Sequence, residues 1–145
     1  MTNLDEVRKR QWFYKFGLPD GTYTATYVPA DVATIHDARL EMVRRVVRDT
    51  FGEDLSAVDA IDFACHQGWF TAKMLDDGVR SVRAVDIRPE HLDDAALITS
   101  VLGHDKPRTS FQRFDVDGVP NGEGIRGQVF FVPPAGLRRR PVSGA

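Results

Sequence analysis

Three acidic residues stand where short apolar runs of the sequence end: Asp62, Asp86 and Asp115. Each run has the length of a strand, and the first two are followed by segments with helical spacing. In an open parallel sheet, ligands bind beyond the carboxyl ends of the strands. If these strands are neighbours, their carboxylates face one crevice, which predicts a site for a polar ligand at that end of the sheet.

The spacing of the first two acids indicates a ribose as one candidate ligand. Asp86 lies 24 residues after Asp62, and dinucleotide-binding folds place a ribose-binding acid about 20 residues after their glycine loop. The alternative is that Asp86 caps the helix that begins near Pro89, and the spacing does not decide between them. ACHQGW lacks the G-x-G-x-x-G that a pyrophosphate requires. This disfavours a nucleotide-dependent oxidoreductase and favours a nucleoside ligand without phosphates, such as S-adenosylmethionine.

The segments around these acids alternate between strand and helix patterns, which predicts an α/β fold with a parallel sheet. The predicted strands are VDAIDF (58–63), SVRAVDI (81–87) and TSFQRFDV (109–116). The predicted helices between them are WFTAKMLDD (69–77), closed by Gly78, and PEHLDDAALITSVLG (89–103).

Two further elements are predicted upstream. Residues 12–28 have the composition of a hairpin that turns at Pro19-Asp20-Gly21. Between Asp31, which we expect to cap a helix, and Gly52, which we expect to end it, apolar residues recur at helical spacing. They predict one buried face made of Val32, Ile35, Met42, Val43, Val46, Val47 and Phe51.

The composition of the sequence indicates how the chain is divided into segments and which cellular compartment it suits. We expect an N-terminal hairpin and helix over 1–56, a Rossmann-like core over 57–120 and a Gly/Pro/Arg-rich tail over 121–145, in which GQVFFV (127–132) is a candidate strand. A net charge of −2 gives no overall attraction to nucleic acid or membrane. The single cysteine fits a reducing compartment, and no apolar run spans a bilayer, so we expect a cytoplasmic protein.

Three motifs carry a family resemblance. DFACHQGWF, AVDIRPEH and FQRFDVDG, in this order, resemble the first three motifs of class I S-adenosylmethionine-dependent methyltransferases, in which D-x-G-x-G-x-G closes the first strand. The hairpin WFYKFGLPDGTYT is similar to that of the branch with the tRNA wobble-uridine methyltransferase-like proteins. The resemblance covers residues 11–119. It implies a Rossmann-like methyltransferase fold and an enzyme that transfers the methyl group of S-adenosylmethionine to a small-molecule or tRNA acceptor.

The resemblance also implies a role for individual residues. It places Asp62 and the loop residues Ala64, His66 and Gly68 beside the methionine part of the cofactor, Asp86 on the ribose hydroxyls, Ile87 against the adenine, and Asp115 and Val116 at the adenine's edge. It names no catalytic base.

Two of the family's loop glycines are replaced, by Ala64 and His66. If either position requires a positive φ, the replacement costs roughly 1 to 2 kcal/mol, while micromolar binding is worth about 8 kcal/mol. The replacements are therefore expected to weaken a cofactor site more readily than to abolish it. We expect His66 to face solvent, with contact to the ligand carboxylate as the alternative.

Other chemistries are disfavoured, and one alternative function stays open. Cys65 and His66 are adjacent, which seldom gives the geometry of a nucleophile and its base, and the histidines show no metal-ligand spacing. The predicted strands are too few for a seven-stranded sheet, so we expect a truncated chain whose sheet is completed by a homo-oligomer or a partner chain. The competing hypothesis is a non-catalytic cofactor-binding or interaction module.

Overall fold

The computed structural model describes residues 2–104, 106–113 and 128–132. The elements, in chain order, are α1 (Asn3–Lys9), α2 (Ala30–Phe51), β1 (Asp59–Phe63), α3 (Trp69–Asp76), β2 (Ser81–Asp86), α4 (Pro89–Val101), a 3-10 turn (Lys106–Arg108), β3 (Thr109–Arg113) and β4 (Gln128–Val132). The sheet order is β3-β2-β1-β4, with β1, β2 and β3 parallel and β4 antiparallel to β1. This open sheet with crossover helices is a Rossmann-like α/β fold, as the alternating pattern predicts.

The crossover helices α3 and α4 cover the same face of the sheet. Ala60 pairs with Val82 across β1 and β2, and both pack against Met74 of α3. Ala84 lies two residues further along β2, hence on the same face, and packs against Leu92 of α4. The N-termini of both helices therefore lie near the carboxyl ends of β1 and β2, where the predicted site falls.

The sequence analysis missed α1, which a capping box begins. Thr2 Oγ1 accepts from the backbone N–H of Asp5 at 3.2 Å, and the Asp5 carboxylate accepts from the N–H of Thr2 at 3.0 Å. Val7 of α1 and the following Trp12 are buried against Trp69 of α3. The N-terminal segment thus shares its hydrophobic core with the helices that flank the predicted site.

The predicted hairpin turns where expected but is irregular. An antiparallel bridge joins Gly17 to Tyr23 around the turn, yet residues 12–28 contain no regular strand. The hydroxyl of Thr24 accepts from the N–H of Phe16 and donates to the carbonyl of Tyr14, both at 2.9 Å. The hydroxyl of Thr24 thus makes hydrogen bonds that backbone groups of a paired strand make in a regular hairpin.

The predicted buried face of α2 is wrong in part. The side chains that α2 buries are His36, Leu40 and Val47. Three residues assigned to the buried face are exposed: Ile35, Met42 and Val46. Arg44 forms a bidentate ion pair with Asp77, with both N···O distances at 2.7 Å. This pair and the packing of Leu40 and Val47 set the rotation of the helix, which apolar spacing alone does not fix.

The sequence prediction is confirmed at the C-terminal end of α2 and is wrong at its N-terminal end. Gly52 ends the helix with a positive φ of 83°, and its N–H donates to the carbonyl of Arg48 at 2.9 Å. At the other end Pro29 occupies the capping position and no side chain caps the helix. Asp31 lies in the first turn, where a negative charge interacts favourably with the helix dipole, so its prediction as a capping residue is wrong.

Candidate functional site

The loop after β1 has a left-handed backbone at every second residue. Ala64, His66 and Gly68 have φ values of 57°, 52° and 80°. Ala64 and His66 are the only residues other than glycine with positive φ in the described part of the chain, and each costs roughly 1 to 2 kcal/mol there. The surrounding contacts must therefore hold the loop in this conformation.

Backbone bonds to β2 fix the loop. The N–H of Cys65 donates to the carbonyl of Val85 at 3.0 Å, and the N–H of Gly68 donates to the carbonyl of Cys65 at 2.9 Å. The N–H of His66 donates to Oδ2 of Asp86 at 2.8 Å. The loop thus lies against the end of β2 instead of projecting into solvent.

Gly68 is required for a close approach as well as for its φ. A Cβ built on Gly68 would lie 2.8 Å from Cβ of Ala95 and 3.2 Å from its Cα. The loop is therefore pressed against α4, and the start of α3 is positioned by contact with the second crossover helix.

Asp86 ends β2 as a buried carboxylate, 7% exposed. Besides the bond from His66, its Oδ1 accepts from the N–H of Arg88 at 2.9 Å. Nδ1 of His91 lies 3.4 Å from the same oxygen, without the geometry of a hydrogen bond. Because Arg88 is the capping residue of α4, Asp86 also organises the start of that helix. An ionised carboxylate has about four lone-pair sites, so Asp86 has capacity for further donors.

Two histidine rings stack beside Asp86. The centroids of His66 and His91 are 3.9 Å apart, with 26° between the ring planes. Burial, and after it the neighbouring His91, lowers the pKa of His66 to about 4, so this imidazole is neutral at pH 7. Nδ1 of each ring is buried without a hydrogen-bond partner in the described part of the chain. The expectation that His66 faces solvent is therefore wrong.

Asp62 lies on the same face of the sheet as Asp86 but points into the protein. Asp62 pairs with Ala84 in the sheet register, two residues from Asp86, and is 2% exposed. Its Oδ2 accepts from the hydroxyl of Thr71 on α3 at 2.6 Å. Burial raises the pKa of Asp62 to about 6, and the charge of Asp86 adds to the effect. The two acids are neighbours, and the protein's own groups already bond to both.

Cys65 is a buried structural residue of the loop. Its side chain is 4% exposed, and its Sγ donates to the carbonyl of His66 at 3.5 Å. Burial raises the pKa of the thiol, as do the nearby carboxylates of Asp62 and Asp86. The thiol is protonated at neutral pH, which agrees with the interpretation that Cys65 and His66 do not form a nucleophilic pair.

Gln67 joins the loop to the N-terminal segment, and the sequence analysis missed it. Its side chain is buried and makes three hydrogen bonds, at 2.8 to 2.9 Å. Oε1 accepts from the N–H of Phe13, and Nε2 donates to the carbonyl of Gln11 and to Oδ2 of Asp94. Asp94 also accepts from Arg10 at 2.6 Å. Nothing in the sequence marks Gln67, because its partners are distant in the chain.

Aromatic rings of the N-terminal segment cover the loop. The rings of Phe13 and Tyr14 lie 5.3 Å and 5.6 Å from that of His66. Tyr14 also stacks on Trp69 at the start of α3, with 8° between the planes. Residues 10–14 thus form a cover over the loop, held by Gln67.

Ile87 follows Asp86 and is exposed. Asp115 and Val116 lie outside the residues that the structure describes. Within residues 2–104, 106–113 and 128–132, no group of three or more His, Cys, Asp or Glu side chains is placed to hold a metal ion. In the same part of the chain, no helix is both long enough and apolar enough to cross a membrane.

No protein-family model matches the sequence, and no curated protein matches it. Among solved structures, the methyltransferase domain of bacterial CtHen1-CN is similar, with 20% sequence identity and a TM-score of 0.43 over 56% of this chain and 42% of that chain. The chain thus matches less than half the length of that structure. The similar structure is a methyltransferase domain, and the wobble-uridine branch stays a prediction.

Proposed function

We propose that this chain is an S-adenosylmethionine-binding domain of the methyltransferase type. The observation that carries the proposal is the backbone of the loop after β1. It is left-handed at 64, 66 and 68, the three positions at which the resembling family has glycine. Non-glycine residues are held in this conformation at two of them, although it is unfavourable there. The loop therefore keeps the shape for which the glycines are suited.

The residues present at the site suit an adenosyl group. Asp86 would accept hydrogen bonds from the ribose hydroxyls with its remaining lone pairs, and the exposed Ile87 would pack on the adenine. Nδ1 of His91, buried without a partner in the described residues, is a polar atom that a ligand would satisfy. The stacked rings of His66 and His91 lie beside Asp86, so we expect binding to require a rotation of His66.

When bound, S-adenosylmethionine supplies an electrophilic methyl group on a sulfonium. The chain's own contribution is to hold and orient that group against an acceptor. The acceptor in this proposal is a small molecule or a tRNA base. Asp62 is bonded to Thr71 and supports the site from within the protein. Its contact with the methionine part of the cofactor stays a prediction.

A second function, a non-catalytic cofactor-binding or interaction module, is favoured by one observation. Asp86 already accepts from His66 and Arg88, and a carboxylate satisfied in this way can be structural. The two functions differ in turnover: a module binds the cofactor, or a partner, without producing S-adenosylhomocysteine.

The proposal is tested by measuring S-adenosylmethionine affinity in matched variants. Asp86→Asn is expected to weaken binding about 10-fold to 100-fold, because it removes a charged acceptor. Asp93→Asn, at an exposed position of α4, is the control and leaves affinity unchanged. His66→Gly is expected to strengthen binding, since it removes the ring that covers the site. Equal affinity in folded wild type, Asp86→Asn and His66→Gly would refute the proposed site.

A further inference from the structure

A separate pocket lies on the other side of the aromatic cover. It has a volume of about 350 Å³ and is lined by Lys15, Tyr23, His36, Asp37, Trp69 and Lys73, among others. The volume lies in the range of small-molecule sites, about 300 to 1,000 Å³. The pocket is formed by the irregular hairpin, the first turns of α2 and the start of α3, so it is distinct from the Asp86 loop.

The pocket has an excess of positive charge. Lys15 and Lys73 both line it, and neither is in an ion pair of the described residues. Asp37 is the single acidic side chain of the lining. Burial lowers the pKa of His36, and the nearby Arg39 lowers it further, so the imidazole is neutral at pH 7. The lining therefore carries a net charge of about +1, which favours an anionic ligand.

The walls of the pocket are suited to a flat ring. Tyr23 is 62% exposed and its ring lies 4.4 Å from Nζ of Lys15. The buried ring of Trp69 lies 5.6 Å from Nζ of Lys73. The exposed ring of Tyr23 can pack on a flat ligand ring, while the two ammonium groups attract a negative charge on that ligand. Trp69 is 3% exposed and stacks on Tyr14, so it lines the pocket without a free stacking face. His36 has ring contacts but no side-chain hydrogen bond in the part of the chain that the structure describes.

We propose that this pocket binds a planar aromatic molecule with a phosphate or carboxylate group, which Lys15 and Lys73 pair with while His36 bonds to a polar atom of the ring. Its role as the site of the methyl acceptor rests on the function proposed above. One layer of rings separates the two sites: Tyr14 lies 4.6 Å from the ring of His36 and 5.6 Å from that of His66.

The pocket is tested with phenyl phosphate as the probe, followed by NMR of the indole N–H signals. Trp69 lines the pocket, whereas Trp12, the other of the two tryptophans, is buried in the core and serves as an internal reference. We expect phenyl phosphate to shift the Trp69 signal and leave the Trp12 signal in place. Benzyl alcohol, which lacks the charge, and inorganic phosphate, which lacks the ring, are each expected to bind at least about tenfold more weakly.

Variants that remove one positive charge distinguish binding in the pocket from nonspecific attraction of phenyl phosphate to the protein surface. Lys15→Gln and Lys73→Gln are each expected to weaken phenyl phosphate about tenfold, as for the loss of a charged hydrogen bond. Arg45→Gln, at an exposed position of α2, is the charge-matched control and leaves affinity unchanged. An unchanged Trp69 signal, or equal affinity of all three variants for phenyl phosphate, would refute the proposal that this pocket binds an aromatic anion.

A parallel titration with S-adenosylmethionine distinguishes this inference from the proposed function. Phenyl phosphate binding without S-adenosylmethionine binding supports the pocket and removes its role as an acceptor site. S-adenosylmethionine binding without phenyl phosphate binding refutes the pocket and leaves the proposed function standing.

Discussion

The backbone N–H of His66 donates a 2.8 Å hydrogen bond to Oδ2 of Asp86, which ties a left-handed residue after β1 to the acid that ends β2. Asp86 therefore holds the shape of the loop in addition to any role toward a ligand. A charged acceptor bond of this kind is worth about 1.5 to 3 kcal/mol, enough to offset the strain of residue 66. Variants of Asp86 will thus change stability as well as affinity, and the two must be measured separately.

The strain in the loop predicts that Ala64→Gly stabilises the protein. Ala64 has φ of 57°, which costs an L-residue roughly 1 to 2 kcal/mol, while the entropy lost by glycine offsets about 0.5 to 1 kcal/mol. We expect the free energy of unfolding to rise by roughly 0.5 to 1 kcal/mol in urea denaturation. Ala57→Gly is the control, since Ala57 has no positive φ, and should destabilise. A lower free energy of unfolding in Ala64→Gly would contradict the claim that the backbone of Ala64 is strained.

Gly68→Ala is predicted to be costly for two separate reasons. The φ of 80° is unfavourable for alanine, and the new Cβ would lie 2.8 Å from Cβ of Ala95. Together these are expected to lower the free energy of unfolding by about 3 kcal/mol. Gly103→Ala is the matched control, because Gly103 has φ of 81° with no neighbour within 4 Å. If both variants lower the free energy of unfolding equally, the contact between the new Cβ and Ala95 of α4 adds no cost.

Asp62 and His66 are predicted to give opposite dependences of stability on pH. The pKa of Asp62 rises from 3.8 to about 6 on folding, so its contribution is complete below pH 3.8 and is lost as pH rises through 6. The pKa of His66 falls from 6.5 to about 4, so its contribution is complete above pH 6.5 and is lost as pH falls through 4. Between about pH 4 and 6, the stabilising contribution of Asp62 falls as pH rises, while that of His66 increases.

Single variants separate these two effects. In Asp62→Asn, we expect the free energy of unfolding to rise more steeply with pH than in wild type, by about 2 kcal/mol between about pH 4.5 and 6.5. In His66→Asn, the rise should be shallower than in wild type. Urea denaturation across this range checks both. A slope in Asp62→Asn identical to that of wild type would mean that Asp62 is not buried as the structure has it.

Gln67→Ala is predicted to release the N-terminal segment from the loop. The substitution leaves the N–H of Phe13 and the carbonyl of Gln11 without their buried partner, which is expected to cost about 2 to 4 kcal/mol. Hydrogen exchange at the N–H of Phe13 should speed up along with the loss of stability. Gln11→Ala is the control, since it keeps the backbone carbonyl that Gln67 contacts. Unchanged exchange at Phe13 in Gln67→Ala would rule out this attachment.

Much of the fold follows from the sequence because its signals are local. Alternating apolar runs predict β1, β2 and β3, and Pro89 lies in the first turn of α4 as expected. Gly52 ends α2 because only a residue tolerant of positive φ suits that position. The capping box of Thr2 and Asp5 is also a local signal, so the start of α1 is predictable from the sequence.

The remaining features depend on contacts between distant residues. Which face of α2 is buried is decided by Arg44 and Asp77, 33 residues apart, and the attachment through Gln67 spans 54 residues to Phe13. The positive φ at Ala64 and His66 was foreseen as a possibility from the family pattern. The stacking of His66 on His91 was not, because periodicity carries no information about which loop side chains meet.

The central claim is that the loop after β1 and Asp86 form a site for an adenosyl sulfonium. Calorimetric titration of the wild-type chain with S-adenosylmethionine, and separately with NAD, tests it most directly. We expect saturable binding of S-adenosylmethionine, at about micromolar affinity or weaker because His66 must move, and no heat of binding with NAD. Tight binding of NAD with no response to S-adenosylmethionine would contradict the claim.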